Sequence, residues 1–244
     1  MFNKSKKLLA ALIVSFALAP MSQAALSSYS QDFESLDDTD GGALAGDGWL
    51  VFANVFDAGG GYLYGYGPNP APNGGPAFSA VAVGQGGAAQ GNQQMVVYSD
   101  YNNGDHGNGN LIEANVFQEQ IIGAGDVGST WEFSFDAQVN DLAAPTTSLA
   151  FIKTLDPNAG FALSSFLIID TTNVAAWNSY TISILINSGL QGHILQFGFA
   201  STATNFNASG VFYDNVNFSQ VPVPAAVWLF GSALLGLFAT RRRA

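Results

Sequence analysis

The chain has no cysteine and, between residues 25 and 220, only one lysine or arginine, Lys153. Without thiols there is no disulfide, and thiol catalysis and cysteine-built zinc sites are excluded. The other six basic side chains sit at the two ends, as Lys4, Lys6, Lys7 and Arg241 to Arg243. All eighteen Asp and Glu lie in 25–220, giving that segment a formal charge of −17. Such a surface repels phosphodiester backbones, so nucleic acid is excluded as a partner, whereas divalent cations are welcome. Histidine is scarce too. His106 lies in an Asn- and Gly-rich loop and His193 opens a strand, and neither adjoins a nucleophile elbow. Residues 25–220 also lack any sustained 3.6-residue apolar period with helix caps.

What is present begins with the termini. Lys4, Lys6 and Lys7 precede the twelve-residue apolar run Leu8 to Ala19, and Ser22-Gln23-Ala24 supplies small residues at the positions a signal peptidase reads. This predicts a signal peptide over 1–24, cut between Ala24 and Ala25. At the other end come Pro222 and Pro224, an apolar run over 225–239 and three arginines. A single helix there spans roughly 22 Å, short of the ~30 Å hydrocarbon core, yet an apolar run ended by arginines is built to sit in a bilayer with its tail held on the cytoplasmic side. The string VPVPAAVWLFGS followed by Arg241-Arg242-Arg243 resembles the PEP-CTERM sorting signal of Gram-negative bacteria. The resemblance implies recognition by an exosortase, removal of the tail and delivery to the cell surface, usually in species that make exopolysaccharide. Val223 stands where that signature has a glutamate. The chain thus divides into 1–24, an extracytoplasmic domain over 25–220, and a sorting signal over 221–244.

The middle segment reads as all-β. Trp131, Phe133, Phe135, Ala137 and Val139 alternate along one face; so do Tyr180 to Ile186, and Leu195, Phe197 and Phe199. Further strands are predicted over 49–56, 77–83, 94–98, 111–122, 147–154, 161–169 and 210–218. Many short strands with turns between them point to an antiparallel β-sandwich. Residues 57–92, rich in Gly, Pro, Gln and Asn, are expected to form long loops around one or two short strands. Trp49, Trp131 and Trp177 are assigned to the core.

In Gly210-Val211-Phe212-Tyr213-Asp214-Asn215-Val216-Asn217-Phe218, simple alternation places Asp214 on an apolar face with Phe212, Val216 and Phe218. A buried carboxylate needs a partner, and with one lysine and no arginine the choices are backbone N–H groups, a raised pKa or a cation. Asp32 and Glu34 flank Phe33 near the other end of the domain. An early Phe-Glu strand with a late Tyr-Asp-Asn-Val strand resembles the jelly-roll, galactose-binding-like sandwiches that include many carbohydrate-binding modules. That resemblance implies a structural Ca²⁺ near the first and last strands, with Glu34 and Asp214 as ligands and Asp32 as a third. A hydrogen-bonded Asp at a strand corner is the alternative.

Tyr62, Tyr64 and Tyr66 alternate between glycines, so their rings are expected to line one side of a strand and stack on sugar C–H faces, rimmed by Pro68, Asn69, Pro70 and Asn73. Packing between the sheets is the competing reading. Other motifs fail their context. Gly123 to Gly128 fits G-x-G-x-x-G, but a strand rather than a helix follows. Asp38-Thr39-Asp40-Gly41 lacks the downstream Glu of a calcium loop. The Asp100–Asn110 loop is rich in oxygen ligands but reads as a solvated turn. A glycosidase needs only two carboxylates, and no pair stands out among eighteen.

Two functions compete: a non-catalytic, polysaccharide-binding surface or matrix protein, and a coat or adhesion protein that binds no sugar. A secreted glycoside-active enzyme and an ice-binding protein rank last, the latter because no regular Thr-rich repeat is present.

Overall fold

The computed structural model describes residues 25–207 and 209–222. The expected signal peptide with Ala24, the helix over 225–239, and Pro224 and Arg241 to Arg243 lie outside these residues. Ala25 and Pro222 are exposed at their two limits. Among the described residues, no helix is long and apolar enough to cross a membrane.

Twelve strands and one short helix make up the domain, in the chain order β1 (Tyr29–Gln31), α1 (Ala43–Gly46), β2 (Leu50–Phe56), β3 (Tyr62–Pro70), β4 (Ser79–Val83), β5 (Gln93–Tyr98), β6 (Leu111–Ile121), β7 (Thr130–Asp141), β8 (Thr147–Asp156), β9 (Ala162–Asp170), β10 (Asn178–Leu185), β11 (Ile194–Ala203) and β12 (Gly210–Gln220). They form two six-stranded antiparallel sheets. One runs β10-β7-β12-β5-β4, with β1 added to the C-terminal half of β12; the other runs β3-β2-β6-β11-β8-β9. This is the antiparallel β-sandwich that the alternation predicts, of the jelly-roll-like kind that the resemblance implies.

The inner faces bury large rings, which drives the sheets together. Phe197 stacks on Phe218 at 4.3 Å between centroids, Phe133 lies 5.4 Å from Phe199, and Trp49 and Trp131 are buried as expected. Trp177 departs from expectation. It is only half-buried, on the outer side, and donates Nε1–H to the Gln85 carbonyl at 3.3 Å. Residues 57–92 hold one long strand as well as a short one. β3 runs nine residues despite Pro68 and Pro70, because it is the edge of its sheet, where a missing N–H costs no ladder bond.

A β-bulge corrects the face assigned to Asp214. Asp214 pairs with Asp136 and Asn217 with Ser134, so three steps on β12 oppose two on β7. Asn215 takes the extra step at φ 48°. Val211 and Tyr213 point into the core before the bulge, and Val216 and Phe218 after it. Phe212 and Asp214 therefore face outward. Asp214 is nonetheless fully buried, under the chain between β4 and β5.

Candidate functional site

The outer face of the β3–β9 sheet carries a groove of about 840 Å³. Strand register sets its floor in rows. Glu119, Gln196, Lys153 and Phe166 line up across β6, β11, β8 and β9, followed by Phe117, Gly198, Phe151 and Ile168. Phe52 stands opposite Asn115, and Asn54 opposite Glu113. Phe117, Phe151 and Ala200 are buried on this outer face, a small second core outside the sandwich.

Lys153, the one lysine of the domain, reaches along this floor. Its ammonium lies 4.7 Å from the centroid of Phe151 and 5.5 Å from that of Phe117, and donates to Asn115 Oδ1 at 3.3 Å. Gly198 sits between those two rings, and a Cβ there would come within 2.2 Å of the Val116 carbonyl. Burial depresses the Lys153 pKa to about 8, against the pull of Glu113 and Glu119. Those carboxylates are themselves held: Glu113 Oε1 accepts from Asn54 and Asn115 at 3.0 and 3.1 Å, and Glu119 Oε2 from Gln196 at 2.6 Å. The groove thus offers fixed amides and carboxylates on the β2–β6 side. On the β9 side it offers Phe161, Leu163 and Phe166, which are 59, 56 and 47 % exposed.

Sequence reasoning missed this groove. Its signal was the pattern of β8, where Leu149, Phe151 and Leu155 are apolar on one face while Ala150 and Ile152 are apolar on the other. A strand apolar on both faces must be covered on both, or must present a binding surface.

The tyrosine row divides. Tyr64 and Tyr66 pair with the inward Val55 and Ala53, but a register shift sets Tyr62 opposite Phe56, on the other face. Tyr62 packs edge-on against Phe56 at 5.8 Å. A Cβ on Gly65 would lie 2.8 Å from both the Tyr62 hydroxyl and the tip of Phe52, so Tyr62 reaches over Gly65 toward Phe52, itself a groove residue, without lining the groove. Tyr64 donates to Asp105 and Tyr66 to Asp100, the latter at 2.5 Å, while Asn103 Nδ2 donates to both phenols. Burial and the Asp100 carboxylate hold the Tyr66 phenol neutral. These bonds tie the two phenols to the 99–110 loop, Tyr66 half-buried and Tyr64 still 40 % exposed. His106 is buried beside them, stacked 5.5 Å from Tyr101, and desolvation lowers its pKa. Neither histidine lines the groove.

Glu34 and Asp214 come together at the opposite sheet. Glu34 Oε1 accepts from the backbone N–H of Asn92 and of Gln93, both at 2.7 Å. Burial pushes the Asp214 pKa up to about 7, with Asp136 and Glu34 adding repulsion while the Asn215 N–H and Gln94 oppose it. Asp214 Oδ1 accepts from Asn215 N at 2.5 Å; its buried Oδ2 has no hydrogen-bond partner. Asp136 is better served, by Ser179, Gln90 and Asn215, and despite burial these bonds hold its pKa low. Asp136 was not anticipated as a member of this cluster. Asp32 is exposed and opens instead onto a polar surface groove with Ser30, Ser35 and Asn217. Among the described residues, no three His, Cys, Asp or Glu side chains converge as a ready metal site.

Residues 220–243 match the PEP-CTERM protein-sorting motif. The chain therefore carries that sorting signal, as its Pro-x-Pro, apolar run and arginines imply. Among curated proteins no match is found. Similar solved structures include the enzymatically active domain of tailspike protein 4 of bacteriophage CBA120, 15 % identical over 77 % of this chain and 21 % of that one, with a TM-score of 0.43. This chain thus spans about a fifth of the tailspike chain. The CBM22-2 xylan-binding domain of Paenibacillus barcinonensis Xyn10C is 14 % identical over 59 % of this chain and 86 % of its own, with a TM-score of 0.39. A Stig cyclase from Fischerella sp. TAU, Fisc, is 12 % identical over 80 % and 90 %, with a TM-score of 0.39.

Proposed function

We propose that the chain is an exported surface or matrix protein whose β-sandwich is a non-catalytic carbohydrate-binding domain, with the groove over β2, β6, β11, β8 and β9 as its sugar site. The observation that carries this reading is Lys153. The one lysine of a domain of charge −17 is laid along the groove floor, with aromatic rings beneath it and amides around it. Pyranose rings offer C–H faces to phenylalanine and hydroxyls to Asn, Gln, Glu and Lys, which is the mixture lining this groove. A glycan array probed with the full-length chain tests the proposal. Binding is expected, and the Lys153→Met variant should reduce it. A blank array, or binding unaffected by Lys153→Met, would count against this site.

On this reading a signal peptidase cuts between Ala24 and Ala25, residues 25–220 fold outside the cytoplasm, and 225–239 hold the precursor in the inner membrane until an exosortase removes the tail. A divalent cation, Ca²⁺ by the oxygen-only donor set, fits beside Glu34 and Asp214, because Asp214 Oδ2 is buried without a partner. Main-chain carbonyls and water would have to complete its shell, and exposed Asp32 is not drawn in. If the cation is held only by the folded state, EDTA lowers the melting midpoint; an unchanged midpoint removes it.

The coat or adhesion reading keeps one observation in its favour. Edge strand β9 has no charged side chain from Ala162 to Ile169 and exposes Leu167 and Ile168 as well as its groove residues. Edge strands of that kind invite pairing. Sedimentation of the chain with and without glycan separates the two readings.

A further inference from the structure

The groove has two unlike walls. Asn54, Glu113, Asn115, Glu119 and Gln196 present polar atoms from β2, β6 and β11, whereas Phe161, Leu163 and Phe166 present only carbon from the β9 side. Each of those three is about half exposed or more, although the strands beside them bury their phenylalanines. A bare glycan can lay only its C–H faces on that wall, and any hydroxyl turned toward it is desolvated against hydrocarbon without a partner.

Phe161 adds a second observation. It has φ 62°, directly after Gly160 at 65°, and its N–H donates to the Asp156 carbonyl at 2.8 Å. A phenylalanine in the left-handed region is strained by roughly 1 kcal/mol or more, and such strain persists where the surrounding turn imposes it, often beside a binding site. Here the turn delivers the ring to the groove rather than to the core. Charge narrows the choice further. The Lys153 ammonium is already set against Glu113 and Glu119, and the whole domain carries −17. A polyuronate or sulfated chain would meet repulsion on entry.

We infer that the groove's ligand is an uncharged polysaccharide bearing small apolar ester groups, O-acetyl in the first instance, seated with its hydroxyl edge toward Asn54, Glu113 and Asn115 and its esters against Phe161, Leu163 and Phe166. The inference rests on the groove being the sugar site and specifies what that site selects. Burying one acetyl methyl corresponds to about a fourfold gain in affinity, so two or three seated together give tenfold or more.

The test compares O-acetylated xylan and O-acetylated glucomannan, each before and after alkaline removal of the esters, together with alginate as a polyuronate, all titrated against the full-length chain. Ester removal should weaken binding at least tenfold, and Leu163→Ser should bring the acetylated polymer down toward its de-esterified counterpart. Phe161→Ser serves as the parallel variant, and the comparison of polymers needs no variant at all. Equal binding of both forms of each polymer overturns the ester preference while the sugar site stands. Tighter binding of alginate overturns the requirement for an uncharged chain. No binding of any of these polymers overturns both the inference and the reading beneath it.

Discussion

Asp214 and Asp136 stand opposite each other across β12 and β7, on the face turned away from the core. Three hydrogen bonds from Ser179, Gln90 and Asn215 satisfy Asp136, whereas Asp214 keeps an unpartnered buried oxygen. The two carboxyls therefore titrate apart, Asp136 low and Asp214 near 7. In the metal-free protein, folded Asp214 retains a proton that the unfolded chain releases from about pH 4 upward. Its effect on stability is thus a loss as the pH rises through the window from about 4 to 7. The depressed Asp136 acts in the opposite sense and at lower pH, losing its contribution as the solution is acidified. In EDTA, Asp214→Asn should flatten the decline between about pH 4 and 7 and raise the melting midpoint at pH 8. Parallel melting curves for wild type and variant across that range would contradict this.

Lys153 poses the converse case. Its folded pKa near 8 lies below the ordinary lysine value, so the folded state binds the proton less tightly than the unfolded one. The cost is fully present at neutral pH and is relieved as pH climbs from about 8 toward 10.5. Lys153→Met should therefore raise the melting midpoint at pH 7, on the order of 1 kcal/mol of added stability, because an apolar side chain suits Phe117 and Phe151 without desolvating a charge. The same variant should lose glycan affinity. A stabilised, non-binding variant would show that the lysine is retained for the ligand; a destabilised one would make it structural.

The strands of the sandwich were legible because inward positions bury aromatic and branched residues with period two. Trp131 to Val139 fall on β7 and Tyr180 to Ile184 on β10 as the alternation indicates, Ile186 lying one residue past the end of β10. What alternation cannot encode is a change of phase. The bulge at Asn215 and the shift between Tyr62 and Tyr64 each change the phase, so Phe212 and Asp214 face away from Val216 and Phe218, and Tyr62 faces away from Tyr64 and Tyr66. Glu34 lies within electrostatic reach of Asp214, three residues past a β1 that pairs with β12. Asp136 was out of reach, since its place depends on which strands neighbour one another; of the groove only the two-faced apolar pattern of β8 was legible, not the strands that complete it.

Tyr213 offers a test of how the sheets are joined. Its hydroxyl sits 2.9 Å from Ser148 Oγ and 2.8 Å from Thr171 Oγ1, linking β12 to β8 and to the chain just after β9, while its ring stacks on Phe199. Tyr213→Phe keeps the ring and removes one hydrogen bond from each of two buried hydroxyls, Ser148 Oγ still donating to the Ala200 carbonyl at 3.1 Å. It should cost about 1–2 kcal/mol, read from urea denaturation, with an unchanged m-value. A cost near zero would mean that Ser148 and Thr171, which are 3.2 Å apart, satisfy each other.

Asn215 carries two separable duties, and a pair of variants divides them. Its backbone holds φ 48° to create the bulge, and its side chain donates to the Ala89 carbonyl at 3.0 Å and to Asp136 at 2.8 Å, tying the chain between β4 and β5 to β12. Asn215→Gly keeps the backbone permitted and removes both side-chain bonds; Asn215→Ala removes the bonds and also penalises the left-handed conformation. The glycine variant should lose about 1–2 kcal/mol and the alanine variant about 1 kcal/mol more. Both should show faster amide exchange at Asn92 and Gln93, whose N–H groups donate to Glu34 at the end of that segment. Equal stabilities for the two variants would mean that the bulge relaxes on substitution; Asp214 would then rotate toward the core, and its pKa would rise further.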